Sequence, residues 1–174
     1  MTKSYKYDIR VDWGDCDPAG IVFYPNFYRW MDRGFWLHFG SQKLTLDTLR
    51  QRYQALGGPL VDTGASFLKA ARPGDILNAT SRIDEWGTKS FRMGYHFYKN
   101  EILIAKGFEV RVWGILQKNG SITTGPVPTE IKNLILYLTK LLFTLQRIAM
   151  APGAQHYIAR HRLLLLAPLP QECL

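Results

Sequence analysis

Asp15-Cys16-Asp17-Pro18-Ala19-Gly20-Ile21-Val22-Phe23-Tyr24-Pro25-Asn26-Phe27-Tyr28-Arg29-Trp30-Met31-Asp32 is the stretch in which the chain changes from one backbone period to another. Before it, Tyr5, Tyr7, Ile9, Val11 and Trp13 alternate with Lys6, Asp8, Arg10 and Asp12. A period of two predicts a half-buried strand with the aromatic and aliphatic side chains on one face. Gly14 to Gly20 is a turn by composition, because Gly, Asp and Pro each favour turn backbone for a different reason. Pro25-Asn26 then opens a helix. Phe27, Trp30, Met31, Gly34, Phe35, Leu37 and His38 recur in it at spacings of three and four, and Gly40 closes it. A helix that is aromatic on several sides is expected to be deeply buried.

Working outward, a second and more polar helix is expected over about Thr45 to Leu56, ended by Gly57-Gly58-Pro59. Leu60–Ala71, Ile76–Trp86, Ser90–Lys99 and Ile102–Leu116 then read as strands. Pro73-Gly74-Asp75, Gly87-Thr88 and Asn100-Glu101 separate them, and the last two gaps are short enough for hairpins. The order predicts an α+β fold in which four consecutive antiparallel strands, with the first strand, wrap as a meandering sheet around the long helix, because each needs the other's apolar face. After Pro126-Val127-Pro128, Ile131, Leu134, Ile135, Leu138, Leu141, Leu142, Leu145 and Ile148 keep helical spacing. Ala154–Leu174 fits no element. The expected organisation is one domain over residues 1–130 and a C-terminal extension over 131–174, helical near 131–149 and irregular beyond.

The chain has 174 residues, 47% hydrophobic and 21% charged, which fits one globular domain and excludes a mainly disordered chain. Cys16 and Cys173 make neither a disulfide framework nor a cysteine-built zinc site, so a reducing compartment is the default. The net charge is +8, and residues 131–174 carry 5 Lys/Arg against the single acidic Glu172. Such a balance suits an anionic partner, whether a phosphorylated cofactor, nucleic acid or a membrane surface, without choosing among them. Met1 to Trp13 is polar and alternating, which reads as no secretory leader. No run of 18 uncharged apolar residues occurs, so a soluble cytoplasmic protein is expected. The basic amphipathic helix of the extension is expected to pack on the sheet or on a neighbouring subunit rather than on a membrane.

The turn at Asp15 and Asp17 places two carboxylates between a strand and the entrance of a helix. Helix N-termini present unpaired N–H groups and partial positive charge. A carbonyl held there is polarised, and a nearby carboxylate attacks it or deprotonates a water. Those are the ingredients of acyl transfer or hydrolysis, although an Asp before Pro is also an ordinary turn and capping residue. No Gly-x-Ser-x-Gly elbow, Walker loop or Gly-x-Gly-x-x-Gly occurs. His38, His96, His156 and His161 do not pair at metal-ligand spacing near a carboxylate, so no metal site is expected. Cys16 lies between two aspartates that raise its pKa and is discounted as a nucleophile.

The stretch from Asp15 to Asp32 resembles the active-site segment of the 4-hydroxybenzoyl-CoA thioesterases, which are hotdog-fold acyl-CoA thioesterases. Glu85-Trp86-Gly87-Thr88-Lys89-Ser90-Phe91 resembles the hairpin that contacts coenzyme A in the same enzymes. The resemblance covers about residues 5–130. It implies the hotdog fold and hydrolysis of an aromatic acyl-CoA such as 4-hydroxybenzoyl-CoA. It implies that Asp17 is the nucleophile or general base and that the backbone N–H of Tyr24 polarises the thioester carbonyl. Asp32 would then help with the ring hydroxyl, and Lys89 would meet the coenzyme A phosphates. It implies no metal or cofactor, coenzyme A being part of the substrate, and a homo-oligomer, dimer or tetramer, with sites at subunit interfaces. Two departures stand out. Gly87 and Thr88 are neutral where those enzymes are richer in Arg, so Arg82 or Arg92 are further candidates for holding coenzyme A. Leu44-Thr45-Leu46-Asp47 lacks the aromatic residue that those enzymes place against the substrate ring. A short-chain aliphatic acyl-CoA thioesterase therefore stays open, as does a non-catalytic module for an anionic partner. A hydratase ranks low, since neither His38 nor His96 lies in a hydratase setting.

Overall fold

The computed structural model describes residues 4–135. Five strands, β1 (Tyr5–Arg10), β2 (Leu60–Phe67), β3 (Ile76–Trp86), β4 (Ser90–Lys99) and β5 (Ile102–Val112), form one antiparallel sheet in the order β1-β3-β4-β5-β2. Two helices, α1 (Pro25–Ser41) and α2 (Leu46–Tyr53), lie between β1 and β2 in the chain. A short ribbon of β6 (Gly114–Leu116) and β7 (Ile122–Thr124) follows β5. Residues 129–135 are helical, and Ile131 and Ile135 are buried with the core. Most of the helix expected near 131–149, and all of Ala154–Leu174, lie outside the described residues.

The long helix packs on one face of the sheet, as its aromatic pattern predicts. Met31, Phe35 and Phe39 are fully buried, and full burial of such side chains contributes about 1.5–3 kcal/mol each. The sheet meets them with Leu77, Ala79 and Ile83 of β3, Phe91, Met93, Tyr95 and Phe97 of β4, and Ala105 of β5. Gly107 on β5 lets the helix approach closely, because a Cβ there would collide with the Met31 sulfur and come 3.0 Å from the Gly64 carbonyl oxygen.

Both predicted hairpins form, with Thr80 opposite His96 and His96 opposite Lys106. The meander does not extend to the strand before them. β2 pairs with β5 at the far edge, with Gly64 opposite Phe108, rather than with β3. It also ends at Phe67, not Ala71. Residues 68–75 carry the chain back across β5 and β4, a step of roughly 14 Å at the usual strand spacing. Eight extended residues span that distance easily, at up to about 3.3–3.6 Å each. The last strand is interrupted as well, since Trp113 divides β5 from β6. Trp13 leaves the apolar face of β1. The strand stops at Arg10, Trp13 starts a 3-10 turn (Trp13–Asp15), and its side chain is 85% exposed. α1 runs one residue past Gly40, and α2 begins after Thr45, whose hydroxyl accepts from the Thr48 N–H at 3.2 Å as an N-cap.

Candidate active site

The acidic turn is closed on itself by local hydrogen bonds. Asp15 caps the 3-10 turn, its carboxylate accepting from the Asp12 N–H at 2.9 Å. The Asp17 N–H donates to the Ile21 carbonyl at 3.0 Å, and the Gly20 N–H returns to the Asp17 carbonyl at 2.9 Å. Gly20 has φ +70°, a left-handed conformation that glycine adopts without steric cost. Inside this loop Asp17 Oδ1 accepts from the Ala19 N–H at 2.9 Å. Asp17 Oδ2 has no hydrogen-bond partner among the described residues. The side chain is half-buried rather than buried.

Two sets of bonds hold the turn against its surroundings. The Asp15 carbonyl accepts from the Phe23 N–H at 2.9 Å and from Asn26 Nδ2 at 2.8 Å, which fixes the turn to the first residues of α1. On the other side lies the crossover after β2. The Val22 N–H donates to the Ala71 carbonyl at 2.9 Å, and Arg72 Nη1 donates to the Gly20 carbonyl at 3.3 Å. Gly74 N–H bonds the Val11 carbonyl, and Val11 N–H bonds the Asp75 carbonyl. The unexpected placement of β2 thus supplies the floor of the site.

Tyr24 is the N-cap of α1, and Pro25 follows it at the first helical position, where its missing N–H is no loss. The Tyr24 N–H has no acceptor among the described residues, whereas the next two available N–H groups, of Asn26 and Phe27, bond to Phe23 and Tyr24 carbonyls. Tyr24 and Asp17 line one open cleft of about 410 Å³ with Ile21, Phe27, Phe67 and Ala71. The Phe67 ring lies 6.2 Å from that of Tyr24 and 5.3 Å from that of Phe27. Asp17, aromatic walls and Tyr24, the residue with the unpaired N–H at the helix entrance, therefore line one cleft. Among the aromatics near the turn, Tyr24 and Phe27 line it. Trp13 and Phe23 point outward and Trp30 is core.

Asp32 and Lys89 do not line that cleft in this chain. Asp32 pairs with neither Arg29 nor Arg33. Its Oδ1 lies 2.7 Å from Arg111 Nη2. Lys89 sits exposed in the β3–β4 turn, where its carbonyl accepts the Trp113 N–H at 2.8 Å. Lys132 joins this hairpin, donating from Nζ to the Gly87 carbonyl at 2.8 Å. Arg82 and Arg92 lie elsewhere, on the outer face of the sheet. Arg82 pairs with Asp84, and Arg92 stacks 3.6 Å over the Phe108 ring. Burial, with Asp15 and Asp17 beside it, raises the Cys16 thiol pKa, in line with its being discounted.

Sequence reading missed the buried pair Glu109 and Arg111. Its signal was present, since Ala105, Gly107, Glu109 and Arg111 share the inward register of β5. Two charged residues at inward positions of a covered sheet need partners.

Fold and cleft together define a hotdog protein with an acidic turn at the mouth of its central helix. The chain belongs to the thioesterase-like superfamily, whose family profile matches residues 11–164. Over 94 residues it is 36% identical to the 4-hydroxybenzoyl-CoA thioesterase of Pseudomonas sp. (strain CBS-3). That match takes in 52% of this chain and 65% of the relative's own length. It is 29% identical over 104 residues to a 1,4-dihydroxy-2-naphthoyl-CoA hydrolase of Prochlorococcus marinus subsp. pastoris, covering 56% of this chain and 68% of that one. The solved structure of the Pseudomonas thioesterase superposes with a TM-score of 0.70 at 30% identity, covering 75% of this chain and 98% of that chain. A gentisyl-coenzyme A thioesterase superposes with a TM-score of 0.65 at 32% identity, covering 74% and 99%.

Proposed function

We propose that this protein hydrolyses an aromatic acyl-CoA to the free acid and coenzyme A. The observation that carries the reading is the cleft lined by both Asp17 and Tyr24, the residue whose N–H is unpaired among the described residues. A thioester carbonyl accepting from that N–H gains negative charge on oxygen as its carbon is attacked, and the donor stabilises that charge. As nucleophile, an Asp17 oxygen bonds to the carbonyl carbon, the C–S bond breaks, the thiolate takes a proton, and water cleaves the resulting anhydride. As general base, Asp17 takes a proton from the water that attacks directly. A thioester is already activated, so either route runs without a bound metal or cofactor. The aromatic wall of Tyr24, Phe27 and Phe67 suits a flat acyl group. The named relatives support the choice: they act on 4-hydroxybenzoyl, 1,4-dihydroxy-2-naphthoyl and gentisyl thioesters.

In this reading Asp32 meets a ring hydroxyl and Lys89 the coenzyme A phosphates, with Lys132 adding charge at the same hairpin. Because Asp32 and Lys89 lie away from the Asp17 cleft of their own chain, a homo-oligomer completes the site. Strand β2 leaves one free sheet edge, with Leu60, Val61 and Phe67 exposed along it, for a second copy to pair with. A cytoplasmic dimer or tetramer is the assembly proposed. Among the described residues no helix is long and apolar enough to cross a membrane.

The test is thiol release from 4-hydroxybenzoyl-, benzoyl-, phenylacetyl- and short-chain acyl-CoA. Preference for an aryl-CoA is expected. Preference for a short aliphatic acyl group would retain the cleft and overturn the aromatic assignment. No hydrolysis by the folded protein would overturn the reading altogether.

A further inference from the structure

Residues 67–71, where β2 ends and the crossover begins, line the same cleft as Asp17. The bend there is fixed by the main chain. The Ile104 carbonyl accepts from both the Leu68 N–H at 2.8 Å and the Lys69 N–H at 3.1 Å. Two residues further on, the Ala71 carbonyl is held by the Val22 N–H. Lys69 therefore springs from an anchored piece of backbone, and its side chain is exposed. Among the described residues that line the cleft, Asp17 and Lys69 are the two that carry charge, and the others are aliphatic or aromatic.

The neighbouring cations are already engaged. Arg72 donates from Nη1 to the Gly20 carbonyl at 3.3 Å, and Lys99 Nζ lies 2.7 Å from Asp75 Oδ1. The Lys69 ammonium group has no carboxylate partner among the described residues. Asp17 does not fill that place, since no ion pair joins the two and its Oδ1 is taken by the Ala19 N–H. A lysine carries its charge as a compact point on a flexible four-carbon stem. An anion entering an apolar cleft without a partner loses hydration at high cost. Asp17 adds like-charge repulsion to that cost. A free ammonium on the cleft wall offsets both effects, and a neutral ring gains nothing from it.

We propose that Lys69 is a specificity-determining residue whose ammonium group pairs with a carboxylate on the acyl ring, so that the cleft takes aromatic acyl groups bearing a ring carboxylate. This rests on the thioesterase reading above. The thioester end of the substrate stays with Asp17 and the Tyr24 N–H, and Lys69 acts on the ring alone. The coenzyme A phosphates are the other source of negative charge on such a substrate. Lys69 shares the cleft with Asp17 and the aromatic wall, at the reacting end, which favours the acyl group over them.

The experiment compares kcat/KM for 3-carboxybenzoyl-, 4-carboxybenzoyl- and benzoyl-CoA in the full chain and in Lys69→Met, Lys69→Arg and Lys69→Glu. The readout is the carboxylated-to-benzoyl ratio. It is expected to exceed one for at least one carboxylated ring in the wild type and to fall about tenfold in Lys69→Met, as losing a hydrogen bond to a charged group does. Lys69→Glu is expected to lower it further, and Lys69→Arg to restore most of it. Added salt is expected to shrink the wild-type ratio. The same comparison with N-acetylcysteamine thioesters, which carry no phosphate, separates the acyl group from coenzyme A, and the ratio is expected to persist there. A wild-type ratio below one for both carboxylated rings, a ratio that Lys69→Met leaves unchanged, or a ratio that vanishes without the phosphates overturns the proposal. A wild type that hydrolyses no thioester overturns the thioesterase reading instead, and binding then decides on Lys69. 4-Carboxybenzamide, whose amide stands in for the thioester, is expected to bind the wild type about tenfold more tightly than Lys69→Met in an NMR titration. Equal affinity overturns the pairing.

Discussion

Lys99 Nζ lies 2.7 Å from Asp75 Oδ1, joining the end of β4 to the crossover that follows β2. The other Asp75 oxygen accepts from the Arg72 N–H at 2.9 Å. Asp75 thereby holds the short segment 71–75 in the shape that meets Val11, Gly20 and Val22. The turn bearing Asp17 rests on that segment, so a residue remote from the proposed chemistry is connected to it by consecutive hydrogen bonds.

Replacing Asp75 by Asn removes the ion pair and weakens the Arg72 contact. Partial burial opposes ionisation of Asp75, but the Lys99 and Arg72 contacts outweigh it and lower its pKa. The contribution to stability is therefore present above the ordinary carboxylate pKa and is lost as pH falls through the lowered one. Asp75→Asn is expected to lower kcat about three- to tenfold, since small misplacements of reacting groups are costly, with a small drop in Tm. Steady-state kinetics beside a thermal melt test this. Unchanged kcat would show that the turn is rigid without its brace.

Asp17→Asn keeps the shape of the turn and the bond to the Ala19 N–H while removing the charge. Turnover is expected to fall by about two to four orders of magnitude, the usual loss for a catalytic acid–base or nucleophilic group. Thiol release at saturating substrate measures it. Retention of full activity in a folded variant would remove Asp17 from the mechanism.

His38 makes stability depend on pH. It is buried on α1, and its Nδ1 lies 3.2 Å from the Ser81 hydroxyl. Burial lowers its pKa from 6.5 to about 4, with the Ser81 contact opposing only part of the shift. The native state favours neutral His38, so the unfolded chain binds more protons between these values. Stability is then full above about pH 6.5 and erodes as pH falls toward about 4, by roughly 3 kcal/mol at full extent. Urea unfolding at pH 7.5 and 4.5 is expected to show this loss, and His38→Gln is expected to flatten it.

Gly107→Ala tests the closeness of helix and sheet. The added methyl would overlap the Met31 sulfur and press on the Gly64 carbonyl. Overpacking of this kind costs about 1–3 kcal/mol. Equilibrium denaturation is expected to show that cost, and Met31→Ala is expected to destabilise less in this background than in the wild type, a coupling that a double-mutant cycle reads.

The sequence made some of this architecture plain and hid the rest for physical reasons. The switch from period two to helical spacing around Asp15–Asp32 located β1, the turn and α1, because burial on one face imposes those periods. The two hairpins were visible because their turns are local. The partner of β2 was not, since strand pairing across residues 68–75 is decided by tertiary packing. Trp13 continued the alternation of β1 in the sequence, but the strand had already stopped at Arg10. Asp17 and Tyr24 were found on the quoted segment, and the cleft that joins them needed Phe67 and Ala71 from the crossover. The tie between Asp32 and Arg111 spans 79 residues and has no local signature.

The donor proposed to receive the thioester carbonyl belongs to the main chain of Tyr24. Exchange of that side chain, for alanine or any other residue except proline, leaves the amide hydrogen in place. The donor persists through changes to the ring at this position, and among the encoded residues only proline deletes it. Only a backbone edit, an ester link in place of the Phe23–Tyr24 amide, takes the hydrogen away while keeping the phenol.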